Sequence, residues 1–178
     1  MLQRIKLLSS QRLGWVLLAI SAIALLSTAL YFQYQLNIQP CIKCIYIRAA
    51  FSGILLAALL GMLSPGNAFV RVLALFGALS AAVFGLVQAN DLLHIEQVIA
   101  TGGFSSCSFF AEFPSWMPLD QWLPSVFEPR GSCGEDSWRF LNHSMAFWTA
   151  VTLYGYIAVC GLLLLSQFVR ISNNPYKG

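Results

Sequence analysis

The sequence predicts an all-α integral membrane protein: a four-transmembrane-helix bundle with one long outward loop. Three observations carry this. Of its 178 residues 58% are hydrophobic and only 10% charged, against about 25% charged residues in an average soluble protein. Four apolar runs, at 13–32, 45–63, 69–87 and 144–168, approach or exceed the ~20 helical residues that cross a bilayer. No stretch shows the sustained polar–apolar alternation of a membrane barrel. The chain therefore reads as a single membrane domain over 1–178, with outward loops at 33–44 and 90–143.

Charge sets the orientation. Arg4, Lys6 and Arg12 precede the first run, Arg71 lies beside the turn Ser64-Pro65-Gly66-Asn67, and Arg170 and Lys177 follow the last run. The positive-inside rule puts these segments, and so both termini, in the cytoplasm. All seven acidic residues fall between Asp91 and Asp136, in the long loop on the other side. No basic patch offers a surface to nucleic acid.

The elements follow in order. Ser27-Thr28-Ala29 resembles a signal-peptide cleavage site, but the apolar run is long for a secretory signal, so an uncleaved first helix is expected. Tyr31, Phe32 and Tyr34 suit an interfacial belt. Pro40 restricts the chain and delivers Cys41 to the start of the second helix. Helices two and three carry small residues, among them Gly53, Gly61, Ala78 and Gly85, which let membrane helices approach closely. In the long loop, Phe109–Phe127 reads FFAEFPSWMPLDQWLPSVF. Its prolines forbid one long helix. Its aromatics would lie as a short membrane-associated amphipathic segment among lipid headgroups, tethered by Trp116, Met117 and Leu119.

Cys41 and Cys44 form a Cys-x-x-Cys pair at the mouth of the second run. Spacing alone leaves a redox dithiol, a structural disulfide and a metal site open. Arg48 lies four residues beyond Cys44, on the same helix face. A guanidinium there favours thiolate over thiol, as does the helix N-terminus. An arginine within an apolar run is a functional candidate, and snorkelling to lipid phosphate is the plain alternative. Cys107 and Cys133 make a second pair, in a compartment where disulfides persist. A loop staple is the plain reading of that pair. Flanking glycines, including Gly131 and Gly134, favour a mobile, exchangeable disulfide instead. His94, just past the third run, is placed to hydrogen-bond a ligand headgroup. Cys160, within the fourth run, reads as a buried, inert thiol.

Pro-Cys-x-x-Cys-x-x-x-Arg at the second helix, Cys107, the FPSWMPLDQWLPSVF stretch and Gly131-Ser132-Cys133 together resemble the bacterial disulfide bond formation protein DsbB family, over nearly the whole chain. The resemblance implies an inner-membrane thiol:quinone oxidoreductase that recharges a DsbA-like thioredoxin-fold periplasmic oxidase. Cys41 and Cys44 would face the quinone, ubiquinone or menaquinone, and Cys107 and Cys133 would face the partner. Arg48 and His94 would support the quinone. Ile47 departs from the pattern, which has an acidic residue before the arginine. A DsbB-like paralogue serving another oxidase, and a membrane scaffold with structural disulfides, are the alternatives.

Overall fold

The computed structural model describes residues 11–103, 113, 118–133 and 139–168. Four long helices run through them: α1 (Arg12–Gln35), α2 (Ile42–Leu63), α3 (Ala68–Ala100) and α6 (Met145–Phe168). Two single turns, α4 (Leu119–Trp122) and α5 (Pro124–Phe127), precede a minimal hairpin of β1 (Arg139–Phe140) and β2 (His143–Ser144). All four long helices have the length and composition to cross a membrane. The terminal charges Arg4, Lys6, Arg170 and Lys177 lie outside the described residues, as do Cys107, Trp116, Met117 and Gly134.

Local chemistry sets the ends. Asn37 closes α1 in the left-handed region, at φ 54°, which asparagine tolerates better than most residues. Asn67 caps α3, its side-chain oxygen accepting from the Phe69 N–H at 3.0 Å. The largest departure from the sequence reading is the length of α3. It runs on through Gln88–Ala100, where polar residues end the hydropathy signal but no glycine or proline breaks the helix. It stops where Gly102 takes φ 86°, a conformation glycine adopts without strain. The hairpin is a second departure. Leu141 and Asn142 both take positive φ, as a two-residue hairpin turn requires. The Trp148 indole N–H donates to the Phe140 carbonyl at 3.1 Å and holds the turn to α6.

Lipid tails are as apolar as leucine, so close van der Waals contact between small residues, rather than exclusion from water, draws such helices together. Ala58, Ala78, Ala82 and Ala89 are fully buried where α2 meets α3 and α3 meets α6. α1 packs on α2 and is bridged to α6 by the Tyr156 hydroxyl, which donates to Ser21 Oγ at 2.7 Å. Leu17, Leu56, Phe76 and Leu165 point outward. At the end opposite the Cys-x-x-Cys pair, buried Arg71 donates to Gln167 Oε1 (2.8 Å) and to the Pro65 carbonyl (3.1 Å). Cys160 is fully buried with Ala57 and Ala78, in the position of a core residue.

Candidate functional site

The turn between α1 and α2 presents Cys41 as the N-cap of α2 and Cys44 one turn inside it. Their sulfurs are 3.0 Å apart, as hydrogen-bonded thiols. The Cys44 thiol stabilises a Cys41 thiolate and, against the effect of burial, lowers the Cys41 pKa to about 7, with backbone N–H groups of the turn adding to the shift. Thiolate character in the reduced pair thus falls on Cys41, outside the spanning segment. Lys43, between the two cysteines, is turned aside: its ammonium donates to Asp91 Oδ2 (2.9 Å) and Gln88 Oε1 (3.0 Å) and ties the motif to α3.

A titration follows from this geometry. A thiol below its pKa is a poor nucleophile, so alkylation of Cys41 in the reduced protein should rise with pH through a midpoint near 7. In Cys44→Ala the main stabilising hydrogen bond is gone, and the midpoint should move up toward 9.0, the ordinary thiol value. Mass-spectrometric alkylation rates measure this. Unchanged midpoints would mean that Cys44 does not activate its neighbour.

Arg48 does not snorkel. It is buried and donates to Gln33 Oε1, to the Val126 carbonyl at 2.9 Å and to the Ala29 carbonyl at 3.1 Å. One cation therefore fastens α2 to α1 and to α5. The Gln33 amide and the Tyr34 hydroxyl both reach the Ser125 carbonyl, at 3.4 and 2.7 Å, and complete that clamp. The acceptors of Arg48 are neutral, so its charge keeps its reach toward an added ligand. Ile47 is buried in the core with Phe51 and adds an apolar wall beside Arg48.

The second loop lies on the first. The N–H groups of Arg130 and Gly131 both donate to the Pro40 carbonyl at 3.1 Å. A Cβ on Gly131 would stand 2.6 Å from the Gln39 carbonyl oxygen. The reading of Gly131 as a source of mobility is corrected: the residue is glycine because two backbones touch there. Two residues on, Cys133 is disulfide-bonded and buried. It packs in one cluster with Cys41, Ile42, Leu92 and Ala146.

A cavity of about 370 Å³ adjoins these sulfurs. Its walls include Cys41, Cys44, Arg48 and Phe51 from the start of α2, Leu25 and Phe32 from α1, and Trp148 and Thr152 from α6. A flat, mostly apolar ring with two carbonyl oxygens fits this space, since apolar walls hold the ring and the Arg48 guanidinium is a donor for an oxygen. Cys41, Cys44, Arg48 and Cys133 are thus brought together. His94 is not. Because α3 continues through it, His94 lies about 200° around the helix from Leu92 and Glu96, at about 100° per residue. It is exposed, whereas Leu92 and Glu96 line the cavity. Gln33 and Glu96 are the residues that the sequence reading missed. The available signals were a glutamine within an apolar run and an acid one turn past Leu92. Among the described residues no cluster of His, Cys, Asp or Glu is arranged to hold a metal ion.

Comparison with known proteins agrees with this architecture. A family model described as disulfide bond formation protein DsbB matches residues 11–163. Disulfide bond formation protein B of Mannheimia succiniciproducens is 42% identical over 167 residues, spanning 94% of this chain and 93% of its own. The protein of that name from Pasteurella multocida is 41% identical over 171 residues, with 96% and 95% covered. The one from Shewanella frigidimarina is 45% identical over 154 residues, with 85% and 90% covered. On the match over most of its length, the chain belongs to the DsbB family of disulfide bond formation membrane proteins.

Proposed function

We propose that the protein is a protein-disulfide:quinone oxidoreductase of the bacterial inner membrane, with both termini cytoplasmic and its cysteine end in the periplasm. It reoxidises a DsbA-like thioredoxin-fold oxidase and delivers the electrons to ubiquinone or menaquinone. The observation that supports this most is that Cys133 shares a buried cluster with Cys41, while Cys44 and Arg48 line the adjoining cavity.

The order of exchange follows from nucleophile and leaving group. A thiolate of the partner attacks Cys107 and expels Cys133. Cys133, buried in one cluster with Cys41, attacks it and frees Cys44 at the cavity wall, one turn from Arg48. The partner's second thiol releases Cys107, which takes Cys133 back and leaves Cys41 and Cys44 reduced. A quinone, when bound, supplies the acceptor for the two electrons that this pair gives up. Arg48 orients an oxygen of the ring, and Phe51 and its neighbours exclude water.

The test is to add reduced oxidase partner to the purified protein and follow quinone absorbance. Loss of quinone in step with partner disulfide formation is expected. Partner oxidation without quinone loss would eliminate the acceptor, and no partner oxidation would eliminate the enzyme.

A further inference from the structure

Among the described residues, Glu96 is the one carboxyl group on the wall of the cavity that Cys41, Cys44 and Arg48 line. It stands on α3 four residues after Leu92, which packs in the Cys41 cluster, and that spacing puts both on one helix face. It makes no hydrogen bond or ion pair among the described residues. It is also partly exposed, and the 33-residue α3, about 50 Å long, carries it past the ~30 Å of lipid tails to where water reaches.

Turning a quinone into a hydroquinone takes two electrons and two protons. The two sulfurs supply both electrons as a bond forms between them, but a thiolate brings no proton. The Arg48 guanidinium does not release one at physiological pH. The hydroxyls of Thr28, Thr149 and Thr152 donate to carbonyls of their own helices, and the Trp148 indole to Phe140. Neither hydroxyls nor indoles are acids near neutral pH. Apart from the thiols, Glu96 is the remaining acid on the wall among the described residues. A carboxylate beside an oxygen that is gaining negative charge is pressed to bind a proton, and water is at hand to give it one.

We propose that Glu96 is a catalytic proton donor to a quinone oxygen, an assignment that rests on the quinone reading of the cavity. The balance is complete. The Cys44 thiol gives one proton and Glu96 the other. The Cys41 thiolate and the Cys44 sulfur give two electrons as the Cys41–Cys44 bond forms. Hydroquinone leaves, and the Glu96 carboxylate is reprotonated from periplasmic water. Among the described residues, the other titratable and charged groups lining the cavity are Cys41, Cys44 and Arg48; the α1 and α6 walls add none.

The test uses full-length protein and a short-tailed ubiquinone. After reduction with a small dithiol and its removal, mixing with quinone gives a single-turnover rate, and equilibrium dialysis gives the affinity. Glu96→Gln should bind the quinone with no more than about a few-fold change, because the amide keeps the shape. Its reduction rate should fall about 10²-fold or more, the usual scale for a lost general acid. Glu96→Asp should restore part of the rate. Infrared difference spectra should show a carboxyl band that changes on quinone reduction in wild type and is missing in Glu96→Gln. A Glu96→Gln protein with the wild-type rate, or a wild type with no carboxyl change, overturns the assignment. A wild type that neither binds nor reduces quinone overturns the quinone reading itself.

Discussion

In Cys133→Ser, Cys107 is expected to accumulate as a covalent adduct with the thioredoxin-fold partner, and turnover should fall close to zero. Exchange proceeds only when a thiolate attacks one sulfur and expels another. Removing Cys133 leaves Cys107 without the sulfur expected to resolve the adduct and breaks the route to Cys41. The adduct should survive a non-reducing gel and vanish with reductant. In Cys107→Ser it should be weak or absent. An adduct formed through Cys133 would reverse the assigned order. If neither variant yields one, the loop disulfide is a staple.

Arg48→Met should raise the Michaelis constant for quinone roughly tenfold to hundredfold. A hydrogen bond to a charged group is worth about 1.5–3 kcal/mol, and about 1.4 kcal/mol is tenfold in affinity. The structure adds a second consequence. The variant also strips the Gln33 oxygen and the Val126 and Ala29 carbonyls of their donor, so α5 should loosen from α1. Protease susceptibility of the 118–133 segment would rise with it. Arg48→Lys should restore part of the clamp but not the fork of donors. Unchanged quinone kinetics in Arg48→Met would reduce Arg48 to a structural fastener.

The bundle was legible because long apolar runs in a charge-poor chain have few other fates. Its outer margins were less so. Hydropathy reports where lipid ends, whereas a helix ends where its backbone finds another partner, and α3 separates the two at Val87 and Ala100. The hairpin before α6 depends on two left-handed residues, one of them Leu141, which no propensity favours. Within the site, Cys41, Cys44 and Arg48 were legible from spacing on one helix. Gln33, the Val126 carbonyl and Glu96 come from three other elements, and only the fold brings them to α2. His94 was misplaced for the same reason that α3 was cut short: a residue taken as free in a loop sits on a helix, whose phase turns it from the cavity. Gly131 carried a signal that sequence reading left ambiguous, since glycine serves mobility and close approach alike. The Gln39 carbonyl decides for the second.

The central claim is that electrons cross between the loops at Cys133 and Cys41. The most direct measurement is disulfide mapping of a Cys44→Ser, Cys107→Ser double variant, in which each of those sulfurs has lost its own partner. Mild oxidation followed by non-reducing proteolysis and mass spectrometry should recover a Cys41–Cys133 peptide pair in most of the protein. Cys41 and Cys133 both recovered as free thiols after that treatment would contradict the account.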